Sequence, residues 1–171
     1  INLAIARQLE ERLLRQGAEV YMIRTSSDGP SLMDRPLKAW EVKGDLYLSI
    51  HNNALPETAN PNDRGRGFMH FYYHPHSRRL VEAIHQSYLK NHPELPDEFV
   101  QWGDLHVCRI TQMPSVLTES AYVIFPDQEK SLISPEYQKR LADTLLEGIR
   151  SFYETYRSIQ LKVWPERHAA Q

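Results

Sequence analysis

Residues 45–54, DLYLSIHNNA, place Leu46, Leu48 and Ile50 on one side and Tyr47, Ser49 and His51 on the other, which is the two-residue alternation of a β-strand. The strand runs out into His51, followed at once by two asparagines, so the histidine falls where a strand meets a loop. Open α/β sheets display their chemistry at such ends. A second stretch, PSVLTESAY at 114–122, holds a short apolar run that delivers Glu119 at its end. One imidazole and one carboxylate at two strand ends suggest a metal ligand and a base.

Working outward, residues 2–16 space Ile5, Leu9 and Leu13 four apart, widened by Leu3, Ala6 and Leu14, an amphipathic helix that Gly17 ends. Residues 18–24 read as a strand, SSDGPS at 26–31 as a turn, and 34–43 as a short helix with Pro36 near its first turn. Beyond the His51 strand, 55–65 is a polar loop and 67–73 an aromatic strand. Ser77 is placed to cap a helix over 78–90, with Leu80, Ile84 and Tyr88 on one face. The proline-interrupted, acidic stretch 91–103 reads as an irregular excursion, and 105–110 and 115–118 as short strands. Ser134 and Pro135 are the cap and first-turn proline of a last helix. Its stripe of Tyr137, Leu141, Leu145, Phe152 and Tyr156 calls for burial. Strands alternating with helices imply an α/β fold, a single domain whose sheet carries helices on both faces, over residues 1–158 with 159–171 as a C-terminal tail.

Composition agrees. The chain has 171 residues, 41% hydrophobic and 25% charged, the proportions of an ordinary globular domain. A formal net charge of −2 gives no electrostatic case for nucleic acid. No apolar run approaches the roughly 18 residues of a membrane span, and no secretory signal is visible. The single cysteine, Cys108, excludes an internal disulfide, and its apolar neighbours predict a buried, inert thiol.

The order of the motifs resembles the zinc-dependent N-acetylmuramoyl-L-alanine amidases of the amidase-3 family. INLAIA at 1–6 is similar to the start of the family's first long helix, GAEVYMIRT at 17–25 to its second strand, and LMDR at 32–35 to its L-x-x-R helix start. LSIHNNA at 48–54 is similar to its S-I-H-x-N signature, GFMHFYY at 67–73 to the aromatic strand that follows, and MPSVLTE at 113–119 to its P-x-V-L-x-E segment. The resemblance implies a mixed, phosphorylase/hydrolase-like sheet and Zn2+ held by two histidines and a glutamate. Of these three ligands His51 is the one present. The others belong ahead of the opening helix, so the resemblance implies a catalytic domain lacking its first strand. It further implies Glu119 as the general base and peptidoglycan or muropeptides as the substrate. The bond cut would join N-acetylmuramic acid to L-alanine, at a periplasmic or extracellular place in the cell envelope. In SAYVIFP at 120–126, Ala121, Tyr122 and Phe125 stand where the family has glycine, phenylalanine and asparagine. Two alternatives share these features: a catalytically inactive wall- or partner-binding domain on the same fold, and a zinc carboxypeptidase acting on peptides.

The other histidines carry weaker signals. His70, His74 and His76 invite a metal reading, but their strand and turn context lacks the helical spacing that would bring them together, so a surface or rim position is expected. His70 or His74 could line a substrate groove. His85 sits on a helix among polar neighbours, His92 precedes a proline, His106 could face either way, and His168 belongs to the tail. Trp40 and Trp102 read as packing residues rather than sugar platforms. Arg64 and Arg66 read as part of a solvated loop beside the aromatic strand.

Overall fold

In the computed structural model, residues 1–56, 58, 60 and 66–163 are described, the last six by backbone alone. β1 (Tyr47–Asn53) lies parallel to β4 (Ser115–Tyr122), β4 runs antiparallel to β2 (Phe68–Tyr72), and β2 is parallel to β3 (Asp97–Trp102). Among the described residues this makes a mixed sheet ordered β1-β4-β2-β3. The helices are α1 (Asn2–Arg15), α2 (Asp34–Glu41), α3 (Arg78–Asn91), α4 (Pro126–Leu132) and α5 (Pro135–Val163).

The strand alternation sorts the two faces. Leu48, Ile50, Phe68 and Val116 pack against Ile5 and Leu9 of α1, Leu80, Ile84 and Tyr88 of α3, and Leu141 and Leu145 of α5. Tyr47, Phe71 and Leu117 turn the other way, onto Ala39 of α2 and onto Val107 and Cys108. The sheet is therefore flanked by helices on both faces, as the α/β pattern predicted. Each buried aliphatic side chain contributes about 1.5–3 kcal/mol, so the larger cluster carries most of the stability.

Several elements follow the sequence closely. Gly17 takes φ +82° just past α1, a left-handed backbone that glycine adopts without steric penalty, and Ala18 N–H returns to the Leu13 carbonyl at 3.1 Å. The Ser134 hydroxyl accepts from Tyr137 N–H at 3.4 Å, the expected cap of α5. Cys108 is fully buried, and that burial pushes its thiol up to about 11, so it is inert at neutral pH.

Others do not. Residues 18–24 join no sheet among the described residues: Ile23 packs onto the second cluster, but no strand lies beside this segment to complete a ladder. The excursion at 91–103 contains β3, hidden because DEFVQW sends only Val100 into the large core and leaves Phe99 and Trp102 exposed. Residues 105–110 form a 3₁₀ turn (His106–Arg109) rather than a strand. Consecutive Val107 and Cys108 are both buried, and Cys108 N–H bonds back to Leu105 at 2.9 Å, an i to i−3 closure. The strand expected at 115–118 extends to Tyr122, and α4 follows it as a short helix that no apolar stripe marks. The Ser77 hydroxyl makes no cap bond and instead accepts from Ser115 N–H at 2.9 Å. Leu14 and Tyr156 are exposed, and Ala142 and Ile149 take places in the α5 stripe. The helix α5 runs on to Val163, and residues 164–171 of the expected tail lie outside the described residues.

Candidate active site at the ends of β1 and β4

The register sets the site. His51 and Glu119 are direct partners across the parallel β1–β4 pair, and Met69 of β2 is the partner of Glu119 on its other side. Paired residues share a face, and adjacent strands lie about 4.8 Å apart. The imidazole and the carboxylate thus stand side by side on the α2 face of the sheet, near the strand ends. Both are half-buried, and neither points into the large core.

Their electrostatics differ. Burial lowers the His51 pKa, and the positive charges of Arg35 and then Arg24 lower it further, so the ring is neutral at physiological pH. Its Nε2 lies 3.1 Å from the Ser49 hydroxyl, two residues back on the same strand face, which leaves Nδ1 for other use. A neutral ring nitrogen is the form that binds metals. Glu119 is raised to about 7 by desolvation, and its Oε2 is buried without a hydrogen-bond partner. A carboxyl poised near neutrality can both take and return a proton, and perturbed groups of this kind concentrate at functional sites.

A supporting shell holds the strand ends around the pair, built from residues that no local sequence pattern marks. Glu98 of β3 accepts from Gly67 N–H at 2.8 Å through Oε1 and from the Tyr122 hydroxyl at 2.8 Å through Oε2. A Cβ on Gly67 would lie 1.7 Å from the Pro96 carbonyl oxygen, so only glycine allows β2 to start this close to β3. Gln128 of α4 ties down the segment after β4: its Oε1 accepts from Tyr122 N–H at 2.8 Å, and its Nε2 donates to the Arg66 carbonyl. The loop that carries Phe125 is thus ordered by the amide of Gln128. Phe125 itself is buried against Met69 and Tyr122 under the Arg66 guanidinium, 4.1 Å from the ring centroid. Arg66 also pairs with Asp127, while Arg64 lies outside the described residues. The Asn53 amide donates to the Met69 sulfur at 3.6 Å.

The remaining histidines lie elsewhere. His70, expected at a surface or rim, is fully buried on the α3 face, packed by Phe68, Tyr88 and His85. Burial, then the neighbouring His85 and His92, holds its pKa well below the usual histidine value. His85 is buried rather than polar-flanked, 3.2 Å from an Asp97 carboxylate oxygen. His92 is buried 3.0 Å from the Thr144 hydroxyl. His74 and His76 bond the backbone carbonyls of Arg109 and Met113 at 3.0 and 3.1 Å, at the opposite end of the sheet, so neither His70 nor His74 lines the site. Of the tryptophans expected to pack, Trp40 is 58% exposed, while Trp102, 62% exposed, lies against Tyr73 with 5.3 Å between ring centroids and donates its indole N–H to the Tyr73 carbonyl at 3.2 Å. His168 lies outside the described residues.

Zinc is the metal that the family resemblance implies. Among the described residues no three His, Cys, Asp or Glu side chains converge to hold a metal. What the described site offers is one neutral imidazole beside one unpartnered carboxylate. That fits one ligand and one base, with further donors needed beyond these residues to reach the three a catalytic zinc takes.

Residues 1–151 match the family described as N-acetylmuramoyl-L-alanine amidase, Amidase_3. The Bacillus subtilis protein YqiI is 33% identical over 154 residues, 90% of this chain and 73% of that protein. The Staphylococcus aureus protein named probable cell wall amidase LytH is 30% identical over 152 residues, 89% of this chain. The chain spans 48% of LytH, about half its length. Among solved structures, the catalytic domain of the amidase CwlV from Bacillus (Paenibacillus) polymyxa superposes with a TM-score of 0.79 at 27% identity, covering 89% of this chain and 82% of that one. An N-acetylmuramoyl-L-alanine amidase from Clostridium difficile 630 gives 0.80 at 26% identity, covering 89% and 81%.

Proposed function

The chain belongs to the N-acetylmuramoyl-L-alanine amidase family, and from that premise we propose that it hydrolyses the amide bond between N-acetylmuramic acid and L-alanine in peptidoglycan, at the cell envelope, with Glu119 as general base and His51 as a zinc ligand. The observation that carries the proposal is the direct pairing of His51 with Glu119 across β1 and β4. Among the described residues no helix is long and apolar enough to cross a membrane.

An amide is a poor electrophile with a poor leaving group, so its hydrolysis needs an activated water and a proton for the departing nitrogen. Zinc, when bound, lowers the pKa of water from 15.7 to about 7 and polarises a carbonyl. The protein's own share falls to the pair and its shell. Glu119, ionised, accepts the proton of the attacking water at its unpartnered Oε2. The same oxygen then hands a proton to the leaving amine, since an amide nitrogen does not depart as an anion. A pKa near 7 suits both halves of this relay, and such a base contributes about 10² to 10⁴ in rate. Burial, and then the charges of Arg35 and Arg24, keep the His51 imidazole neutral, and the Ser49 contact fixes the ring. Glu98 and Gln128 hold Tyr122 and the strand ends in place.

The test is product analysis on purified cell-wall peptidoglycan. The proposal expects peptides with a free amino-terminal L-alanine and an uncut glycan chain. Release of carboxy-terminal amino acids alone would transfer the site to a carboxypeptidase, and no release at all would leave a wall-binding domain.

A further inference from the structure

Phe99 combines three features that ordinary strand packing does not explain. Its φ is +68°, a left-handed conformation that a bulky non-glycine residue rarely adopts. Its side chain is 67% exposed, so no core contact offsets that strain. It also stands beside the site, where the ladder between β2 and β3 slips: Phe68 pairs with Asp97, yet His70 pairs with Val100. Two residues of β3, Glu98 and Phe99, therefore oppose the single residue Met69, which defines a β-bulge, a device that re-aims side chains next to active sites.

The residues flanking Phe99 divide between the two faces of the sheet. Asp97 and Val100 turn toward α3, the first against His85 and the second into the large core. Glu98 reaches the opposite side through Gly67 and Tyr122, and the Gln101 amide lies 4.0 Å from the Met69 sulfur. The shelf on the His51 side thus runs from His51 through Glu119 and Met69 to the bulge. Two strand spacings, roughly 10 Å, separate Glu119 from Phe99, the reach of about three extended residues. The strained backbone is held by Phe99 N–H donating to Asp97 Oδ1 at 2.7 Å. Strained residues over-determined by their surroundings cluster at ligand clamps.

We propose that Phe99 is a substrate-positioning residue whose exposed ring, aimed by the β3 bulge, holds the peptide arm of the substrate while Glu119 acts on the amide. This deepens the amidase reading and rests on it. The peptide arm is favoured over the glycan because β3 is an edge strand among the described residues, and an edge offers backbone donors and acceptors to an extended peptide. The Gln101 Nε2 donates to the Glu98 carbonyl at 3.1 Å, and its amide oxygen is the acceptor it offers to a peptide N–H.

Binding and turnover separate the two readings. On a muramyl tetrapeptide, Phe99→Ala is expected to raise KM about three- to tenfold with kcat little changed, the range of one aromatic contact, and Phe99→Trp to restore it. Phe99→Gly is expected to lose the same affinity while melting no lower than wild type, because glycine relieves the left-handed backbone. The wild type is expected to prefer the tetrapeptide over a muramyl dipeptide, and Phe99→Ala to erase that preference. Affinity for the tetrapeptide measured by calorimetry in a Glu119→Gln background needs no turnover. There, equal affinity with and without Phe99, or no binding by either protein, overturns the proposal. A wild type that binds without cleaving overturns the amidase reading alone.

Discussion

Replacing Glu119 with glutamine should stabilise the protein while removing its activity, and the two effects share one cause. Desolvation raises the folded-state pKa from 4.5 to about 7, so the fold prefers the protonated carboxyl. Because the raised value belongs to the folded state, the native protein binds more protons than the unfolded chain between these limits. Stability from this group is therefore fully present below about pH 4.5 and is lost as pH rises through 7. A shift of this size corresponds to about 3 kcal/mol at 1.36 kcal/mol per unit. Partial solvent access and the orphaned site inherited by the glutamine amide reduce the net gain to about 2 kcal/mol at pH 8. In a domain of this length that raises Tm by about 4–8 °C, and the gap should shrink to about a third by pH 5. Thermal melts of metal-free wild type and Glu119→Gln from pH 5 to 8 measure it, with amide hydrolysis assayed in parallel on metal-loaded protein. Turnover should fall about 10² to 10⁴-fold. A Tm gap independent of pH, or a variant that melts lower at every pH, would refute the burial argument.

Three other substitutions probe the frame around this pair. His51→Ala should weaken zinc binding at least about tenfold without lowering the metal-free Tm by more than a few degrees, read by calorimetric zinc titration; unchanged affinity removes His51 from the ligand set. Gln128→Ala deprives Tyr122 N–H and the Arg66 carbonyl of their partner and should cost about 1–3 kcal/mol, seen as a lower urea midpoint at constant slope. Gly67→Ala forces a Cβ against the Pro96 carbonyl and should cost about 3 kcal/mol and lower turnover with it, whereas an unperturbed melt would mean that β2 and β3 are not in this register.

The sequence marked the strand-end positions of His51 and Glu119 more clearly than the ground they stand on. Two-residue alternation placed Tyr47, Ser49 and His51 on one face, and the short apolar run before Glu119 was enough to mark a strand end. Helices with four-residue stripes, such as Leu80, Ile84 and Tyr88, were legible for the same reason: one face is buried and the other wet. β3 was not legible, because an edge strand with a bulge breaks alternation and its exposed Phe99 and Trp102 look like misplaced core. Nor was the strand character of 18–24 a guide, since a ladder needs a neighbour that no local pattern supplies. His70 misled for a related reason: its face is decided by its pairing with Thr118 on β4, a contact 48 residues away. Glu98 and Gln128 are found only once their backbone partners are brought together by folding.

The account turns on His51 and Glu119 acting on one bond from adjacent strands. The most direct measurement is the rate of free amino-terminal L-alanine release from wall peptidoglycan by wild type, His51→Ala, Glu119→Gln and the double variant. Groups that work as a unit are strongly non-additive, so the double variant should be no slower than the worse single one. Losses that multiply independently, or full activity in either single variant, would contradict it.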